Sequence, residues 1–191
     1  MKILKAFWKR LSTPSKAAAG VLLFMGFAGG LLFWGAFNTG MEATNSEAFC
    51  SGCHAPIVAE IQETIHYSNR SGVRAICSDC HVPHEWTDKI VRKVQASKEL
   101  FAHFMGNIDT PEKFQARRAH LAEREWARLK GNDSLECRNC HQFEFMDFSE
   151  QSERSASQHS TALASGEKTC VDCHKGIAHK LPDMHGVEGW Q

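Results

Sequence analysis

Four times in 191 residues the chain repeats Cys-x-x-Cys-His, and nothing else in it constrains the fold as strongly. The copies are Cys50-Ser-Gly-Cys53-His54, Cys77-Ser-Asp-Cys80-His81, Cys137-Arg-Asn-Cys140-His141 and Cys170-Val-Asp-Cys173-His174, and together they use all eight cysteines. This spacing lets one short turn present two thiols and an imidazole to a single porphyrin edge. The thiols add across the vinyl groups and the histidine reaches the iron from one side. Two C-x-x-C pairs could instead hold zinc, and exported cysteines could pair as disulfides. Neither alternative requires a histidine directly after every pair. With 11 histidines in the chain, four such coincidences have odds on the order of 10⁻⁵. Four covalently bound c-type haems are therefore expected, with His54, His81, His141 and His174 as the proximal iron ligands.

Composition agrees. The 22 Lys+Arg balance the 22 Asp+Glu, a net charge of zero that argues against nucleic acid as a partner. Hydrophobic residues make up only 42% of the chain, too few for a large side-chain core. Haem faces are broad and apolar, and four of them would supply much of the missing interior. The expected fold is mainly α and haem-packed.

Residues 17–37, AAAGVLLFMGFAGGLLFWGAF, form an apolar run of 21 residues with no charge. At about 1.5 Å per residue such a helix spans a hydrocarbon core of roughly 30 Å. Lys2, Lys5, Lys9, Arg10 and Lys16 precede it, and no Lys or Arg follows until Arg70. The positive-inside rule then keeps residues 1–16 in the cytoplasm and exports residues 38–191. Trp8 and Trp34 fall near the two expected interfaces. A cleaved signal peptide is the alternative, but the run is longer than the usual h-region and no clear A-x-A site follows. Beyond the anchor, 17 basic residues face 22 acidic ones, so no general attraction to anionic lipid is expected. Gly26, Gly29, Gly30 and Gly35 permit close helix packing, and hence a homo-oligomer through the anchor.

The exported part reads as a duplicated di-haem unit, with halves at about 45–85 and 132–185. His66 lies 11 residues before Cys77, and His159 lies 11 before Cys170. His84 and His179 each follow a second motif closely. Electron-transfer haems keep a low-spin iron when two strong axial ligands hold it, and the axial ligands help set the potential. His66 and His159 are the first distal candidates, then His179, then His84. His103, His120 and His185 have no repeat partner and read as surface or structural residues. Spacing leaves open which distal histidine serves which haem.

Residues 86–131 read as a helical connector. Ile90, Val94, Phe101 and Met105 recur at helical spacing from Trp86, and residues 106–109 break the pattern. Thr110-Pro111 then supplies an N-cap and a first-turn proline, opening a second amphipathic helix that stops near Gly131-Asn132. The Ser-rich segment 150–165 carries His159 and is expected as an ordered ligand loop or short helix.

Several stretches are shared with a known family: FWGAFNTGME, HYSNRSGVRA, CSDCHVPHEW, IVRKVQASKEL, GNIDTPEKF, ECRNCH and CVDCHKGIAHKLPDM. On these the chain resembles the NapC/NirT family of membrane-anchored tetrahaem cytochromes, its NapC branch above all, with NrfH-type proteins more distant. The resemblance implies oxidation of menaquinol or ubiquinol at the inner membrane of a Gram-negative bacterium. It implies delivery of the electrons to a periplasmic reductase or its cytochrome subunit, the nitrate reductase preferred. It also implies a quinol site on the helix after the second motif, with Glu99 as the acid and Lys98, Arg92 or Lys93 as the cation. Two departures matter. The family often has a Met shortly after the first motif, whereas Ala-Pro-Ile-Val follows His54, leaving His54 itself as proximal ligand. Glu99 stands where Asp is more familiar, which lengthens the reach of the carboxylate.

Quinol oxidation releases two electrons and two protons, so its site needs a haem edge near the bilayer and a base. Cys50 follows the anchor by about a dozen residues, placing the first haem nearest the membrane. Two other readings compete. A pure relay would take electrons from a protein donor and would not depend on Glu99. A terminal reductase would need an open iron position and would turn over substrate without a partner.

Overall fold

A computed structural model describes residues 2–11, 13–14, 16–108 and 110–187. The extreme ends of the chain segments defined above, and Asp109 of the expected helix break, lie outside the described residues. The chain divides into two units, Met1–Ala43 and Thr44–Gln191.

In the first unit, α1 (Lys2–Leu11) precedes α2 (Ala19–Ala43). The 25 residues of α2 carry no charge before Glu42. Leu23, Phe24, Phe27, Leu32 and Phe33 are all exposed along it. No protein core covers this surface, and a bare apolar helix of such length is one a bilayer would cover. Near its end, Asn38 Nδ2 donates to Trp34 O at 2.8 Å and Thr39 Oγ1 to Gly35 O at 2.9 Å. Polar side chains there return to the helix's own carbonyls, as an apolar setting demands.

The second unit is helical, with no strand among its described residues. It runs α3 (Glu47–Gln62), α4 (Cys77–His81), α5 (Trp86–Phe104), α6 (Pro111–Gly131), α7 (Leu135–Arg138), α8 (Glu153–Gln158), a π turn at His159–Leu163, and α9 (Cys170–Cys173). Local chemistry sets several boundaries. Thr110 caps α6 by accepting from Lys113 N at 3.4 Å, and Pro111 fills the first turn, where a missing N–H costs nothing. Helix α3 kinks at His54 (φ −110°, ψ 32°), two residues before Pro56. A proline inside a helix removes one hydrogen bond and clashes with the carbonyl four residues back.

Among the described apolar residues only Ile61, Pro83 and Val171 are buried. Polar ties do much of the long-range positioning. Glu60 of α3 and Arg118 of α6 are 8% and 7% exposed and form a bidentate ion pair. Both then grip residue 180: Lys180 N donates to Glu60 Oε2 at 2.9 Å, and Arg118 Nη1 donates to Lys180 O at 2.8 Å. Burial pushes the Glu60 carboxyl up, but Arg118 and the Lys180 N–H win and hold it below its usual range. Removing one partner of such a buried pair leaves an uncompensated charge. Arg118→Met is expected to cost about 3–5 kcal/mol, read as a lower thermal unfolding midpoint. Adding Glu60→Gln should recover much of the loss.

Candidate haem-binding site

Each Cys-x-x-Cys-His motif sits on its own short turn or at a helix bend. In the second and fourth motifs the residue before the second cysteine is an aspartate that caps the turn. Asp79 Oδ2 accepts from Ile76 N at 2.8 Å, and Asp172 Oδ2 accepts from Thr169 N at 2.8 Å. The third motif is entered through two left-handed residues, Asp133 (φ 56°) and Ser134 (φ 52°). Side chains rarely adopt such φ values, and packing must enforce them. Ser134 is fully buried and its Oγ accepts from Val171 N at 3.2 Å, so the strained turn ties the third motif to the fourth. No disulfide joins any of the eight cysteines.

The histidines meet in pairs. Ring centres of His81 and His179 are 6.1 Å apart, those of His159 and His174 6.0 Å, and those of His66 and His141 6.3 Å. Metal–imidazole bonds are about 2.0–2.1 Å long and the bound nitrogen lies about 1.1 Å from its ring centre, so two rings trans on one metal have centres about 6 Å apart. All three pairs fit that geometry. Two are near parallel, with interplanar angles of 28° and 27°, while His66 and His141 stand at 75°. Each pair joins the histidine of one motif to a histidine outside the motifs. Two of the pairs cross between the halves of the chain.

The rings are supported unequally. His159 Nδ1 is 2.7 Å from Gln151 Oε1, and His81 Nδ1 is 2.8 Å from Glu125 Oε1. The Nδ1 atoms of His66, His103 and His179 are buried without a hydrogen-bond partner. Burial, followed by the charge of nearby His81, brings the His179 imidazole down to about 4. Burial also lowers His54 and His174. A neutral ring is the form that binds a metal. A kink at Gly176 (φ +78°) turns the chain between His174 and His179; a Cβ there would lie 2.7 Å from Leu181 Cγ.

His54 differs. Among the described residues no imidazole pairs with it; instead its Nε2 lies 3.9 Å from Glu99 Oε2. Arg92 Nη1 donates to Glu99 Oε1 at 3.0 Å and its Nε donates to His81 O at 3.1 Å. Lys93 Nζ donates to Thr44 Oγ1 at 2.8 Å and Thr44 O at 3.0 Å. Lys98 is exposed on α5, away from this constellation's hydrogen bonds. His84 is exposed, with Nε2 3.9 Å from Asp79 Oδ1, and His120 and His185 are exposed. The structure thus brings His66, His159 and His179 each to a motif histidine, and places no motif histidine against His84.

Sequence reasoning missed Glu60, Arg118, Glu125, Gln151 and Ser134. None stands at a repeat spacing. Only the aspartate caps left a readable sign, since Thr169-x-x-Asp172 has the form of a capping box.

The NapC/NirT cytochrome c family, N-terminal region, matches residues 12–184 of this chain. The cytochrome c-type protein NapC of Paracoccus pantotrophus is 58% identical, over 96% of this chain and 80% of that protein. NapC of Escherichia coli strain K12 is 54% identical, over 97% of this chain and 94% of its own length. The denitrification system component NirT of Stutzerimonas stutzeri is 52% identical, over 93% of this chain and 89% of that protein. No solved structure matches. Residues, spacing and family agree on four covalently bound c-type haems and on a membrane anchor.

Proposed function

The chain belongs to the NapC/NirT cytochrome c family, a family of membrane cytochromes in electron transfer to periplasmic reductases, and on that premise we propose that it oxidises membrane quinol. The electrons pass to a periplasmic reductase or its cytochrome subunit, with the nitrate reductase as the preferred acceptor. Its N-terminus lies in the cytoplasm and its haem domain on the periplasmic face of the inner membrane, in line with the Lys and Arg residues clustered before α2.

The observation that carries this reading is Glu99, set between Arg92 at 3.0 Å and the motif histidine His54 at 3.9 Å. Each haem, when bound, takes up and passes on one electron at its iron. Glu99 Oε2 is the atom that accepts a quinol hydroxyl proton. Arg92 Nη1 fixes the other carboxylate oxygen and stabilises the negative charge left on the quinol oxygen. Lys93 ties α5 to Thr44, the residue next in sequence to α2. His54, His81, His141 and His174 would hold iron as the motif histidines. His179, His66 and His159 would be their partners at the second, third and fourth motifs.

Anaerobic mixing of the detergent-solubilised protein with menaquinol and ubiquinol analogues tests the reading. Reduction of the haems, followed by visible absorption, is expected with at least one of the two. Full reduction by dithionite with none by either quinol would overturn it and leave a relay that awaits a protein donor.

A further inference from the structure

The haems that share two imidazoles differ in what stands behind those imidazoles. Behind His81 is a carboxylate: Nδ1 lies 2.8 Å from Glu125 Oε1 of α6. Behind His159 is a neutral amide, Gln151 Oε1, at 2.7 Å. Behind His66 and His179 there is no hydrogen-bond partner. His81 is the one ligand imidazole hydrogen-bonded to a carboxylate among the described residues.

That carboxylate is held in place by a network. Arg128 donates to Glu125 Oε1 through Nε at 3.0 Å and Nη2 at 2.7 Å. Its Nη1 donates to Glu136, whose side chain is fully buried, and its Nη2 reaches Cys80 O at 3.2 Å. Asn132 Nδ2 donates to the other oxygen of Glu136 at 2.9 Å. Two carboxylates and one guanidinium leave one net negative charge beside the second motif. The cluster is bonded both to that motif's proximal ring and to its backbone.

A ligand imidazole that donates its other N–H to a carboxylate becomes a stronger base toward the metal. Stronger donation, and a negative charge close by in a low-dielectric setting, both favour Fe(III) over Fe(II). We propose that Glu125 is a positioning residue that holds the haem of Cys77, Cys80 and His81 harder to reduce than a neutral partner would. The inference rests on reading His81 and His179 as ligands of one iron. It makes the hydrogen-bond partner, rather than the axial residue type, the device that grades otherwise similar haems along the chain.

The test is an anaerobic potentiometric titration of the full-length, detergent-solubilised tetrahaem protein, followed by visible absorption and EPR. In Glu125→Gln, one haem is expected to show at least a tenfold higher Fe(II)/Fe(III) ratio at a fixed potential near its midpoint. For a one-electron couple that is about 59 mV upward. The other three haems should stay in place, and all low-spin signals should persist. Four unmoved midpoints would overturn the proposal. Equal movement of all four, the mark of general loosening, would overturn it as well.

If Glu125→Gln fails to assemble, Gln151→Glu puts the same partner behind His159. The haem of Cys170 and Cys173 should then become harder to reduce by a similar factor, and no shift would overturn the proposal. The underlying ligand reading is tested separately by His179→Ala. That variant should turn one low-spin haem high-spin, and it should be the haem whose potential Glu125→Gln moves. If His179→Ala changes no spin state, it is the ligand assignment that fails.

Discussion

Replacing Glu99 with Gln lowers the rate of haem reduction by quinol by about 10²-fold or more, the usual worth of a positioned general base. Dithionite still reduces all four haems completely. The amide keeps the shape and one acceptor oxygen for Arg92, now 3.0 Å from Glu99 Oε1, but it cannot take a proton. Glu99→Asp keeps the carboxylate and shortens its reach by one methylene. It should recover part of the lost rate, which a purely structural role would not predict. Stopped-flow absorption after anaerobic mixing measures all three proteins. An unchanged rate in Glu99→Gln would place the base elsewhere and remove this site from the quinol reading.

His66→Ala is expected to alter a haem attached far away in sequence, the one held by Cys137 and Cys140. His66 faces His141 at 6.3 Å, although it sits just before the second motif. Loss of its imidazole should turn that one iron from low-spin to high-spin. EPR can identify which one. Rings at 75° leave the two π-donor orbitals of the iron close in energy, the condition for a strongly anisotropic low-spin signal. The pairs at 28° and 27° should give more ordinary low-spin signals. The strongly anisotropic signal should therefore be the one that disappears. If a near-parallel signal disappears instead, His66 serves another haem and the crossed pairing is wrong.

Much of the local structure was legible because its causes are local. Thr110-Pro111 opens α6, which ends at Gly131, and Trp86 begins α5. Caps, a first-turn proline and helical spacing act within a few residues, and so leave a pattern that can be read. Segment 150–165 folds as α8 and a π turn that bring His159 to His174, ordered despite its polar composition. Around Glu99 the sequence left three cations, Lys98, Arg92 and Lys93, for one role. The structure pairs Glu99 with Arg92, ties Lys93 to Thr44, and leaves Lys98 exposed on α5.

The partner of each motif histidine was a different kind of question. Equal spacing singled out His66 and His159, but only His159 meets the motif that follows it. His179 faces His81 because its neighbour Lys180 is gripped by Glu60 and Arg118, two residues on separate helices. No local pattern records that grip.

By itself, then, the sequence determined the covalent chemistry and the anchor. Two thiols and an imidazole on one turn, or an uninterrupted apolar run, are properties of adjacent residues. Only the tertiary structure decided which imidazoles face each other and which carboxylates stand behind them. Those distances depend on where α3, α6 and the C-terminal segment pack, and the buried Glu60–Arg118 ion pair, between residues far apart in sequence, helps set that packing.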